Sequence, residues 1–147
     1  MALAVAQQLR DRSGLQPGRI VLISPWLDMT LSEPEQRRIE RRDEMLSLPG
    51  LAESGRLYAG GLDVRDPLVS PLFGELAGLA PIHVFTGTDD VLHPDARRLA
   101  HTMTEKGQEI HLYESEGMQH CYALLPLIPE GKAARKAIIG IMRAAGP

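Results

Sequence analysis

Three short strand-like runs, separated by stretches of helical length, constrain this chain more than any other feature. GRIVLISP, between Gly18 and Pro25, is an unbroken β-branched run, a pattern that suits a strand covered on both faces better than one facing solvent. PIHVFTG, ending in Gly87, and QEIHLYES are the second and third runs. Residues Ala2 to Ser13 carry Leu3, Ala6 and Leu9 at a spacing of three and stop at Gly14 and Pro17, which predicts a helix. MLSLPGLAESGRLYAGG predicts a short helix ending at Gly60 and Gly61. HPDARRLAHTMTEKG places Pro94 near a helix start, Ala96, Leu99, Ala100 and Met103 on one stripe, and Gly107 as the C-cap. KAARKAIIGIMRAAG offers Ala134, Ile138, Ile141 and Met142 for a closing helix. The resulting order is α, β, α, β, α, β, α with no internal repeat. It predicts an α/β fold with parallel strands and crossover helices. DPLVSPLFGEL, kept extended by Pro67 and Pro71, reads as a loop, and the densely charged EPEQRRIERRDE reads as a solvated cap or loop rather than a binding patch.

Composition narrows the function classes. A chain of 147 residues with 44% apolar content can bury the core of one domain, so one domain, or part of one, is expected. The net charge of −3 gives no basic excess, which argues against nucleic acid as a partner. Cys121 is the sole cysteine, so no internal disulfide and no thiolate metal cluster can form, and a reducing cytoplasm is the expected compartment. No apolar run is long enough to span a membrane. MALAVAQQLRDRSG lacks a basic n-region and turns polar within one helical turn, so it reads as an amphipathic helix and not as a signal peptide. His83, His93, His101 and His111 show no H-x-x-x-H or carboxylate-rich spacing, and the three acids of GTDDVLHPD are not spaced as a calcium loop. GTDD and YAGG lack the Walker and dinucleotide patterns. Neither a metal nor a cofactor is expected.

In parallel sheets, chemistry gathers on loops at the carboxyl ends of the strands. Two such loops hold GTDD and GMQH, with Asp90 after one strand and His120 after the next. An aspartate there can accept the Nδ1 proton of a histidine, fix its tautomer and stabilise the imidazolium that forms when Nε2 takes a proton from a nucleophile. On spacing alone, the pair also reads as a turn-capping Asx residue and a surface histidine.

Four blocks add a further reading. LISPWLDM, DPLVSPLFGELAGLAP, GTDDVLHPDARRLA and YESEGMQHCY, in this order, resemble the carboxyl-terminal half of the hormone-sensitive-lipase-like α/β-hydrolases, the carboxylesterases and lipases of bacterial type. The resemblance covers nearly the whole chain. It implies that Asp90 is the triad acid, Asp89 falling one place early, and that His120, thirty residues later, is the base. It also implies a serine nucleophile in a G-x-S-x-G elbow and an oxyanion loop of H-G-G-G type. Neither motif is present: none of Ser13, Ser24, Ser32, Ser47, Ser54, Ser70 and Ser115 lies in that context. Because the family's elbow directly precedes the helix that MALAVAQQLRDRSG resembles, the serine is expected a few residues before Met1.

The expectation is therefore part of a hydrolase domain over residues 1–147, acting on a small ester without a cofactor and completed by an upstream half in cis or in trans. The rivals are an inactive fragment or interaction module with the same fold, and an unrelated α/β binder of small ligands. Cys121 is expected to point away from the place where base meets nucleophile and to act as an apolar filler. Trp26, Tyr122 and Leu124 are expected at the substrate pocket, with Trp26 alternatively packing at the end of its strand. Leu124, Leu125, Leu127 and Ile128 are expected as core or pocket wall. With no partner for GRIVLIS, an open strand edge invites self-association.

Overall fold

The computed structural model describes residues 1–144. Its centre is β2 (Ile82–Gly87), buried at every residue. β1 (Ile20–Ile23) pairs with one side of it and β3 (Ile110–Ser115) with the other, both parallel. Successive side chains of a strand point to opposite faces, so the register sorts the apolar residues into two layers. Ile20, Leu22, Ile82 and Val84 pack against Leu3 and Ala6 of α1 (Ala2–Ser13) and against Ala96, Leu99 and Met103 of α4 (His93–Glu105). Val21, Ile23 and Phe85 belong to a second cluster with Ala134, Ile138 and Ile141 of α5 (Pro129–Ala144). Helices on both faces are what a parallel sheet needs, because each face is apolar.

Local chemistry explains the helix ends. α1 ends at Gly14, whose φ of 68° lets its N–H donate to the Arg10 carbonyl. α3 (Leu48–Ala59) starts where the Ser47 hydroxyl accepts the Gly50 N–H, with Pro49 in the first turn, and stops at left-handed Gly60. α4 closes on Lys106, with Gly107 the left-handed residue beyond it. α5 starts at Pro129, three residues before the expected stretch; the end of that stretch, residues 145 and 146, lies outside the described residues.

Several loop readings need correction. EPEQRRIERRDE is not wholly solvated: it contains the single-turn α2 (Gln36–Ile39), whose Gln36 and Ile39 are buried. A spacing of three puts both on one face. DPLVSPLFGEL is not extended throughout, since Pro71–Phe73 form a 3-10 turn over buried Val69, Ser70 and Pro71. Leu9 and Met142 are exposed, as are Leu124, Leu125 and Leu127. Among the described residues no helix is long and apolar enough to cross a membrane.

One buried carboxylate joins the chain leaving β1 to α4. Asp95, in the first turn of α4 and fully buried, accepts the N–H groups of Leu27 and Asp28 at 3.0 and 2.9 Å through Oδ2. Asp28 in turn pairs with Arg98 at 2.9 Å. Burial pushes the Asp95 carboxyl up to about 7, against the pull of the two amides and helped by nearby Asp28 and Glu33. A carboxyl that keeps its proton to a higher pH when folded binds more protons than the unfolded chain between the two pKa values. Its contribution is therefore full below about pH 4 and is lost as pH rises towards 7. The expected outcome is a wild-type stability that declines relative to Asp95→Asn over that window, by on the order of 4 kcal/mol at most. Urea denaturation of both proteins at several pH values measures it; a constant difference between them would refute the assignment.

Candidate active site

The loops after β2 and β3 are in direct backbone contact. Thr88 N–H donates to the Ser115 carbonyl at 3.0 Å and Asp89 N–H to the Met118 carbonyl at 3.1 Å, while Gly117 N–H donates to the Thr88 hydroxyl at 2.9 Å. Gly87 makes this approach possible, since a Cβ there would collide with the Met118 carbonyl. Gly117, at a φ of 69°, turns the chain back after β3.

The contact brings Asp90 and His120 together. Oδ2 of Asp90, a residue with no exposed surface, lies 3.1 Å from Nδ1 of His120, whose side chain is one-fifth exposed. Oδ1 accepts the Leu92 N–H at 2.9 Å, which fixes the carboxylate plane. An ionised carboxylate only accepts hydrogen bonds, so Nδ1 carries the proton and Nε2 is the nitrogen left to exchange one. Burial alone would lower the pKa of His120, but the hydrogen bonds and charges of Asp90 and Cys121 raise it to about 10.

Cys121 departs from expectation. It lies in the left-handed region at a φ of 56°, and its side chain is among the groups that raise the pKa of His120. Adjacent residues diverge along an extended strand, but not across such a bend.

A polar strap from the end of EPEQRRIERRDE, a stretch expected as a solvated cap or loop, crosses both loops. Arg42 Nε donates to Asp89 Oδ1 at 2.7 Å. Asp43 accepts the Val91 N–H at 2.8 Å through one oxygen and the N–H groups of Met45 and Leu46 through the other. Gln119, next to His120, donates to the Arg42 carbonyl at 3.0 Å and accepts the Glu44 N–H at 2.9 Å. Asp89 is thus engaged by arginine and Asp90 by histidine. The only sequence signal for this strap was its density of side chains able to bond at long range.

The other singled-out residues are scattered. Trp26 is half-buried beside Leu51, Val91 and Leu92, donates its indole N–H to the Asp28 carbonyl at 3.0 Å, and borders a surface cavity of about 170 Å³ with Ile23 and Leu27. Tyr122 is buried with Phe85, Ala123 and Ala134, and Leu124 is exposed. His93 Nε2 meets Glu114 at 2.6 Å, His83 stacks on His111, and His101 is exposed on α4. No group of three or more His, Cys, Asp or Glu side chains among the described residues is placed to hold a metal ion.

Removing the negative charge at Asp90 removes the largest influence holding the proton on His120. In Asp90→Asn the imidazole is expected to titrate several units lower, towards its ordinary value near 6.5. Asp89→Asn leaves it nearly unchanged. Following the imidazole resonances by NMR from pH 5 to 11 measures both, and equal behaviour of the two variants would count against the pairing.

Comparison with known proteins gives the family. Residues 1–124 match the model of an alpha/beta hydrolase fold family. An acetyl-hydrolase from Streptomyces hygroscopicus is 33% identical over 146 residues, 99% of this chain and 49% of that protein. An esterase from Acinetobacter venetianus is 31% identical over 91% of this chain and 45% of its own length. Among solved structures, EstE5 soaked with ethyl alcohol superposes with a TM-score of 0.92 at 32% identity, over 98% of this chain and 49% of that one. An esterase of the bacterial hormone-sensitive lipase family gives 0.92 at 30% identity, over 97% and 48%. The chain spans about half the length of each of these relatives. With three parallel strands, helices on both faces and these relatives, the chain belongs to the α/β-hydrolase fold family, among the esterases and lipases that resemble hormone-sensitive lipase.

Proposed function

We propose that residues 1–147 are part of a serine-type carboxylic ester hydrolase domain, to which they supply the acid Asp90 and the base His120. The observation that carries this reading is the 3.1 Å contact between His120 Nδ1 and the buried Asp90 carboxylate, on adjoining loops at the carboxyl ends of parallel strands. In the proposed reaction, Nε2 of His120 takes the proton of a serine hydroxyl as that oxygen bonds to the ester carbonyl carbon. Asp90 stabilises the imidazolium, and the proton passes to the departing alcohol. Water, activated by the same nitrogen, then releases the acid. No cofactor takes part. Serine and oxyanion donors would come from the half of the domain that relatives carry and this chain does not match. Enclosure by that half would desolvate the imidazolium further, and burial lowers the pKa of a histidine, bringing a ring now held near 10 towards the working range of a base. Of the proposed pocket residues, Trp26 borders a surface cavity and Leu124 is exposed, while Tyr122 is buried in the cluster that includes Phe85 and Ala134. The second reading, an inactive fragment or interaction module of the same fold, is favoured by one observation: no G-x-S-x-G stands in the sequence.

The outer edge of β1 supports completion by another segment. Among the described residues it has no strand partner. Apolar grooves flank it on both sides, one lined by Met1, Val5 and Leu9, the other by Ile23, Ile138 and Met142. Such an edge is a template for pairing. The chain alone is expected to self-associate with rising concentration in sedimentation velocity and to become monodisperse when a serine-bearing half is supplied in cis or in trans. A concentration-independent monomer that melts cooperatively would sink this part of the reading.

The chain alone is expected to hydrolyse short-chain nitrophenyl esters no faster than buffer. Fused to a serine-bearing half, it should turn them over. In that protein Asp90→Asn should lower turnover about ten-thousand-fold and His120→Ala comparably, the double variant being clearly less than additive. Asp89→Asn, whose native carboxylate is engaged by Arg42, should cost far less. Steady-state kinetics on fold-checked variants decides it: a crippling Asp89→Asn with a mild Asp90→Asn would move the acid by one residue.

A further inference from the structure

Ser24 stands just beyond β1, buried, with a backbone φ of 43°. A residue with a Cβ pays roughly 1–2 kcal/mol to occupy the left-handed region, where glycine does not. Glycine would therefore be the easier residue here if the turn alone mattered. What serine adds is its hydroxyl. Oγ accepts the N–H of Cys121 at 2.8 Å, across 97 positions of sequence. The Ser24 N–H donates to the Phe85 carbonyl at 2.8 Å, which carries the β1–β2 ladder one residue further. Ser24 is thus anchored to the strand whose end delivers Asp90.

Cys121 is itself left-handed, and its amide is the peptide that joins it to His120. The peptide on the other side of the histidine follows Gln119, which the strap holds through Arg42 and Glu44. His120 therefore hangs between two fixed points. Gln119 sits half-exposed on an outer strap, whereas the Ser24 bond is made by a buried hydroxyl.

We propose that Ser24 is a positioning residue for His120: its hydroxyl holds the His120–Cys121 peptide so that the imidazole stays on Asp90. This rests on the reading of His120 as the base, but its test reads no turnover. Ser24→Gly removes the hydroxyl and relieves the backbone, while Ser24→Ala removes the hydroxyl and keeps the strained φ. A residue that served only to make the turn would leave Ser24→Gly at least as stable as wild type, with His120 unmoved.

The experiment is NMR on the 147-residue chain and both variants. It follows the His120 titration and the hydrogen exchange of the Cys121 amide, with the Gly117 amide, bonded to Thr88, as a reference within the same pair of loops. In both variants the His120 midpoint is expected to fall by about one unit or more. Exchange at Cys121 is expected to quicken about tenfold or more, relative to Gly117. Ser24→Gly with a wild-type midpoint and wild-type Cys121 exchange overturns the proposal. So does a wild-type chain whose Cys121 amide exchanges as fast as an unbonded one, an outcome that needs neither variant to fold. Failure of ester hydrolysis by the chain fused to a serine-bearing half, with these shifts present, would count against the proposed function and leave the positioning role standing.

Discussion

The complete burial of β2 is the constraint on which the rest depends. A strand with apolar residues on both faces must be covered on both, and its parallel neighbours require connections that travel over those faces. Ile82 and Val84 therefore collect α1 and α4, and Phe85 belongs to the cluster that includes α5. Because β2 is central and parallel to β3, the loops leaving both strands emerge side by side at one end of the sheet. Asp90 and His120 meet for that reason and not because of any local affinity.

Delivery to one end of a sheet fixes a loop only to within a few ångströms, and hydrogen-bonding side chains need finer placement. Here that placement comes from polar groups outside the regular elements. Gly87 lets the Met118 carbonyl approach, Asp43 and Arg42 hold the loop after β2, and Gln119 and Ser24 hold the backbone on the two sides of His120. Asp95 plays the corresponding part behind the site, where a buried carboxylate ties the exit of β1 to α4. Each of these bonds links segments far apart in sequence, so each lends its strength only once the sheet has formed.

The electrostatics of the site follow from two opposed effects on one ring. Burial favours the neutral imidazole, and the adjacent carboxylate favours the imidazolium. With His120 still partly open to solvent, the carboxylate prevails. Asp95 shows the opposite balance: more deeply enclosed and offered only amide N–H groups, it keeps its proton towards neutrality. The difference lies in surroundings.

The sequence by itself determined the order of the three strands and the four longer helices, the parallel sheet and the two loops that carry Asp90 and His120. Those rest on local pattern: unbroken apolar runs such as IVLI, stripes at a spacing of three or four, and glycines at turns. The family's blocks were legible for the same reason, being short and contiguous. Tertiary structure alone decided that Gln36 and Ile39 face inward, that Arg42 takes Asp89, that Cys121 takes a left-handed backbone, and that Ser24 bonds the Cys121 amide. It also separated Tyr122 from Leu124, burying one and exposing the other two positions later. Periodicity reports which face of an element is apolar, but a polar side chain in a loop finds its partner through the three-dimensional path of the chain, which no local pattern encodes.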